Sequence, residues 1–142
     1  VNISSVAAVY AIPFQAMYSA SKAALNAYSS ALAGEIAHFG VSVCTVMPGD
    51  VKTGFTQARR KEAAGTNVYG RKVEASVARM ERDEENGMAP ERIAAKVARL
   101  AGRRRVAPLY TVGTQYKLLL FLGRLLPHSL IGRVVGRMYV KE

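Results

Sequence analysis

Tyr18 and Lys22 stand four residues apart in the stretch "YSASK". On a helix that spacing places both side chains on one face. A phenol is a poor acid near neutrality, with a pKa of about 10, and a neighbouring ammonium stabilises the phenolate and eases proton exchange. The pair alone says little. With seven tyrosines in 142 residues, a Tyr-x-x-x-Lys arises by chance about a third of the time, and two residues on an ordinary small-residue helix look the same. Company separates the two readings: Ser5 lies thirteen residues before Tyr18, and a Pro48-Gly49 turn, followed by Val51 and Thr53, begins thirty residues after it.

The elements that must position these residues follow from periodicity. "VNIS" is apolar and β-branched and reads as a short buried strand. From about Phe14 to Phe39 the pattern is helical. Leu25, Tyr28, Leu32, Ile36 and Phe39 recur at three- and four-residue steps, with Pro13 where a helix can begin and Gly40 where it can stop. This stripe is expected to face the core. "VSVCTVM" (41–47) is an apolar run of strand length. Strand, helix and strand make a βαβ unit, so the strands should be parallel. Ligands bind outside the carboxyl ends of such strands, which is where Ser5 and the "PGDVKT" loop fall.

Residues 54–87 are charged and glycine-punctuated, with a weak helical pattern around 72–85, as in a mobile substrate loop or lid. "GMAPERIAAKVARLAG" has Pro90 at a helix start and Gly102 at its stop, and residues 104–112 could add a third strand. "YKLLLFLGRLLP" and "SLIGRVVGRMYV" read as two short helices. The fold class is α/β, a Rossmann-like parallel sheet with flanking helices over 1–112 and a basic, apolar helical tail over 113–142.

The single Cys44 excludes an internal disulfide and any cysteine-based metal cluster, and its apolar setting predicts a buried, inert thiol. His38 and His128 have no ligand-like spacing. No metal is expected. The net charge of +10 is unevenly spread: residues 1–52 are neutral overall, whereas residues 88–142 carry eleven basic and two acidic side chains. Basic plus apolar points to an anionic membrane surface, not to nucleic acid, whose motifs are not found. Neither apolar stretch of the tail has the roughly twenty residues a membrane span needs.

"NISS", "YSASKAAL" and "PGDVKT" together resemble, in order and spacing, the second half of a short-chain dehydrogenase/reductase. The match is firm over about residues 1–55 and looser over 88–112. The resemblance implies an oxidoreductase interconverting an alcohol and a ketone or aldehyde with NADP or NAD, NADP being favoured. Tyr18 would be the acid/base. Lys22 would stabilise its phenolate and bond the nicotinamide ribose, and Ser5 would hold the substrate oxygen. Pro48, Gly49, Val51 and Thr53 would flank the nicotinamide. The plainer roles are a strand-end cap for Ser5, for which Ser4 competes without the family spacing, and a helix N-cap for Thr53. Asn2 lies in the strand and is not the family's additional catalytic asparagine. The family's Gly-rich nucleotide fingerprint and that asparagine would lie ahead of Ser5. The chain is therefore expected to be a fragment without the nucleotide-binding half, inactive alone and prone to aggregate through the unpaired edge of its first strand. The basic apolar tail resembles that of relatives acting on steroids, retinoids or lipids. It implies a hydrophobic small-molecule substrate and a cytoplasmic or peripheral-membrane location. By the same resemblance, homo-oligomerisation is expected through the 14–39 helix, whose apolar stripe would then meet a second subunit. The rival reading is a non-catalytic module that dimerises or sits on membranes.

Overall fold

The computed structural model describes residues 1–59 and 70–140. Three strands, β1 (Asn2–Ile3), β2 (Thr45–Pro48) and β3 (Leu109–Val112), form a parallel sheet in the order β1-β2-β3. Among the described residues six α-helices accompany it: α1 (Ala16–Glu35), α2 (Phe55–Ala58), α3 (Gly70–Glu85), α4 (Pro90–Ala101), α5 (Thr114–Gly123) and α6 (His128–Tyr139). The expected α/β class and parallel βαβ unit are present. Asn2 registers with Thr45, and Thr45 with Leu109, so β2 is the central strand. All four of its residues are buried, as its uninterrupted apolar character requires of a strand covered on both faces. Cys44, Val46 and Leu100 form the innermost cluster, with Ile93 and Val97 of α4 and Tyr110 and Val112 of β3 packed against it. The Cys44 thiol is buried and unbridged, as expected.

Several boundaries differ from the sequence pattern, each for a local reason. The helix expected from Phe14 begins at Ala16. Phe14 has a left-handed backbone (φ 62°), and the Gln15 amide closes a turn onto Ile12 O at 3.1 Å. The second strand occupies 45–48 in place of 41–47, because ladder pairing begins only where Asn2 N meets Cys44 O (2.8 Å) and Thr45 N meets Pro108 O (2.7 Å). The third strand is confined to 109–112, since Arg103, Arg104 and Arg105 stay in solvent and Pro108 has no amide to pair.

The stripe on α1 is the larger correction. Its buried residues are Ser19 and Ser29, whereas Tyr28 and Phe39 are 62% and 72% exposed and Leu25, Leu32 and Ile36 are only half-buried. Serines bring the helix close against β1: Asn2 Nδ2 donates to Ser29 Oγ at 2.8 Å, and Ser4 Oγ donates to the Lys22 carbonyl at 2.9 Å. The stripe flanks that seam instead of filling the core.

α3 is firmer than its sequence pattern. Ser76 and Met80 are buried, Arg79 pairs with Asp83 at 2.8 Å one turn on, and Gln15 Nε2 donates to Met80 Sδ at 2.6 Å. The part of the expected substrate loop over 60–69 lies outside the described residues. Among the described residues, no helix is long and apolar enough to cross a membrane.

Candidate active site

The carboxyl ends of β1 and β2 open onto a cavity of about 1010 Å³. Ser5, Tyr18, Lys22, Pro48, Gly49, Val51 and Thr53 all line it. Residues up to 48 positions apart in the chain thus meet at one place because two adjacent parallel strands end there.

Ser5 directly follows β1 and caps a short 3-10 turn (Val6–Ala8), its Oγ accepting from Ala7 N at 3.1 Å. The capping role is therefore real. It uses a lone pair and leaves the O–H able to donate into the cavity. Ser4 differs: it is 3% exposed, and its hydroxyl donates to the Lys22 backbone carbonyl. Ser4 fixes α1 to the strand end, and Ser5 presents the hydroxyl.

Lys22 lies one turn beyond Tyr18 on α1. Its Nζ donates to Ile3 O at 3.1 Å and sits 5.7 Å from the centroid of the Tyr18 ring, within cation–π range. Phe55 of α2 supports the ring from another side, with centroids 6.1 Å apart and planes tilted by 47°. The Tyr18 ring is thus held between a cation fixed to β1 and an aromatic from the segment after the turn.

Pro48 is the last residue of β2 and is buried. At Gly49 any side chain would run into the Tyr116 ring of α5. Met88 straps the turn from the other side: its amide donates to Asp50 O at 2.9 Å, and its carbonyl accepts from Lys52 N at 3.0 Å. Thr53 Oγ1 accepts from Phe55 N at 3.2 Å, so it too caps, and again its O–H is left to donate.

Sequence reasoning missed Asp50 and Tyr116. The Tyr116 O–H donates to Asp50 Oδ2 at 2.6 Å, and its oxygen accepts from Asp50 N at 3.0 Å. Burial pushes the Asp50 carboxyl above its usual range, the bond from Tyr116 opposes this, and Asp83 and Glu84 add to the rise. The Tyr116 phenol is also raised, first by burial and then by donating to Asp50. Tyr139 of α6 is pushed up to about 12, mainly by burial and then by the negative Asp50 and Asp83. Both phenols keep their protons at neutral pH. The only sequence signal for the pair was that Asp50 sits inside the "PGDVKT" motif; its partner is 66 residues away.

The residues present fit the nicotinamide end of a dinucleotide. The Lys22 ammonium retains donors beyond its bond to Ile3, and Thr53 retains its O–H.

Residues 1–64 match the family model for short chain dehydrogenase. The 3-ketodihydrosphingosine reductase of Bacteroides thetaiotaomicron is 40% identical over 120 residues, covering 79% of this chain and 45% of that protein. The chain belongs to the short-chain dehydrogenase/reductase family. The probable short-chain type dehydrogenase/reductase VdlC of Helicobacter pylori is 35% identical over 133 residues, covering 90% of this chain and 48% of that protein. An NADPH-dependent 1-acyldihydroxyacetone phosphate reductase of Schizosaccharomyces pombe is 49% identical over 53 residues, covering 37% and 18%. The chain therefore spans less than half the length of these relatives. Similarity to named reductases and dehydrogenases of this family favours the enzymatic reading over the non-catalytic module.

Proposed function

We propose that the protein carrying this chain is a nicotinamide-dependent oxidoreductase that interconverts an alcohol and a ketone or aldehyde on a hydrophobic substrate. The observation that carries the reading is the convergence of Ser5, Tyr18, Lys22 and the Pro48–Thr53 turn on one cavity at the strand ends. Lys22 and the Pro48–Thr53 turn would hold the nicotinamide there, and it would supply or accept the hydride. Ser5 donates a hydrogen bond to the substrate oxygen and holds it beside Tyr18. In reduction the Tyr18 O–H gives its proton to the developing alkoxide, and in oxidation the phenolate takes it back. Lys22, held by Ile3, stabilises the phenolate charge and bonds the ribose. The Val51 backbone and the Thr53 hydroxyl hold the carboxamide.

Two relatives are named for reducing 3-ketodihydrosphingosine and 1-acyldihydroxyacetone phosphate, the latter with NADPH. Their names support a ketone on a hydrophobic molecule and NADPH as the reductant. The exposed side chains Leu118, Phe121 and Leu125, together with the exposed basic residues Arg124, Arg133 and Arg137 of the tail, support attachment to an anionic membrane surface. The exposed Tyr28 and Phe39 on and beyond α1 support a contact with a second copy.

The test is Tyr18→Phe in the intact enzyme, assayed by NADPH oxidation with medium-chain ketones. A fall in kcat of about 10²–10⁴ with nucleotide affinity retained is the expected result. Turnover equal to that of the unsubstituted protein overturns the role of Tyr18.

A further inference from the structure

The cavity that holds Ser5 and Tyr18 is far from symmetric in its chemistry. Ser5, Tyr18, Lys22 and Thr53 line it near the strand ends. The tail contributes a mostly aliphatic lining: Leu119, Leu122 and Leu126, on and just past α5, and Ile131, Val134 and Met138 of α6, with Tyr116 and Tyr139 among them. Of these, Leu119, Leu122, Leu126, Val134 and Met138 remain between 44% and 50% exposed. That is apolar surface facing a cavity, which a ligand would cover. At about 1010 Å³ the space reaches the top of the roughly 300–1,000 Å³ usual for small-molecule sites, more than a nicotinamide and a short ketone need.

α5 is seated over the site by contacts that tolerate no slack. A side chain at Gly123 would run into the Tyr10 hydroxyl, and one at Gly49 would run into Tyr116. The Tyr10 hydroxyl also donates to Leu119 O at 3.3 Å. The apolar residues on and just past α5 divide into two sets. Leu119, Leu122 and Leu126 line the cavity, whereas Leu118, Phe121 and Leu125 do not and are 57%, 60% and 71% exposed. Two adjacent apolar stripes on one short helix imply two different apolar neighbours.

We propose that the inner stripe of α5, with α6, is an acyl-chain subsite: it receives an unbranched aliphatic chain of about the length of these helices, whose reacting carbonyl lies at Ser5 and Tyr18. α5, with ten residues, is about 15 Å long, which sets the scale of chain that this wall covers. The inference rests on the oxidoreductase reading for the position of the carbonyl, and on the cavity wall alone for the chain. Val134 and Met138 are the residues that set the length accepted.

The experiment measures binding of straight-chain methyl ketones, from heptyl to tridecyl, to the intact protein by calorimetry, with NADPH-dependent turnover followed in parallel. Affinity is expected to rise about two- to fourfold per added methylene and then to level off. Val134→Trp should bring the plateau several methylenes earlier, and Met138→Ala should move it later, so that one of the pair remains informative if the other fails to fold. A chain-length series that is flat, or that is the same in both variants as in the unsubstituted protein, overturns the subsite. A rising series that shifts in the variants, without turnover of any ketone, upholds the subsite and overturns the oxidoreductase reading instead.

Discussion

The Tyr116 hydroxyl donates to the Asp50 carboxylate at 2.6 Å and so ties α5 to the turn that follows β2. The same phenol covers the open face of Gly49. One side chain therefore couples the position of the tail to the geometry of the loop that flanks the cavity. Tyr116→Phe keeps the ring on Gly49 and removes both hydrogen bonds, leaving a partly buried carboxylate with one donor fewer. The expected loss is about 1–3 kcal/mol, read as a lower denaturant midpoint at unchanged slope. An unchanged midpoint would show that the bond does not anchor α5.

The pH dependence of the same cluster has a defined sign. The folded Tyr139 phenol is raised from 10.0 to about 12, so the folded state holds a proton that the unfolded chain releases earlier. Its contribution is fully present below pH 10 and is lost as pH rises toward 12. For a phenol this exposed the loss is on the order of 1–2 kcal/mol after allowance for solvent screening. Melting temperatures from pH 9 to pH 12 should fall, and Tyr139→Phe should flatten that part of the curve. Asp50, also raised, acts at the acid end: its contribution is present below about pH 3.8 and declines as pH rises above it. An alkaline fall of equal size in Tyr139→Phe would assign the effect to other groups.

What could be read from the sequence follows the range of the interactions. Lys22 beside Tyr18 is a local consequence of helical spacing, and Ser5 on the same cavity follows from strand order, so the convergence of these candidate residues was legible from the chain alone. The α1 stripe misled because helix periodicity reports which residues are apolar, not which face meets the sheet. Ser29 won that face because its small side chain lets α1 approach β1 closely enough to accept from Asn2, and Ser19 is buried where it accepts from the Ile12 amide. Asp50–Tyr116 and Gly123–Tyr10 were illegible, since each joins residues more than sixty positions apart and no periodicity encodes a contact between a tail and a turn.

Glycines on these contacts should behave differently from glycines facing solvent. Gly49→Ala forces the Tyr116 ring to move and should cost about 1–3 kcal/mol through overpacking. Gly132 lies inside α6, where an added methyl would meet nothing within 4 Å, so Gly132→Ala should stabilise the fold by about 0.5–1 kcal/mol. Thermal midpoints of the two variants should move in opposite directions. Movement in the same direction would mean that Tyr116 does not rest on Gly49 in solution.

The outer stripe of α5 makes a prediction separable from substrate binding. Leu118, Phe121 and Leu125 are exposed and do not line the cavity. Phe121→Asp with Leu125→Asp should weaken binding to phosphatidylglycerol-containing vesicles by at least about tenfold, since apolar contact is lost and repulsion from the anionic surface is gained. Added salt should weaken the unsubstituted protein's binding as well. Co-sedimentation unaffected by either change would exclude this face as the membrane contact.

Ser4 and Ser5 are adjacent but should fail in opposite ways. Ser4 is buried and donates to the Lys22 carbonyl, so Ser4→Ala should lower stability by about 0.5–1.5 kcal/mol and affect turnover only as far as α1 shifts. Ser5 caps a single 3-10 turn, so Ser5→Ala should cost at most about 1 kcal/mol. In the proposed mechanism it also removes the donor to the substrate oxygen, so kcat should fall by about 10²–10³. Ser5→Thr retains a hydroxyl and should recover part of the rate, whereas a merely structural Ser5 would show stability and rate falling together. If Ser5→Ala turns over ketone at the unsubstituted rate while Ser4→Ala does not, the roles assigned to the two hydroxyls are reversed.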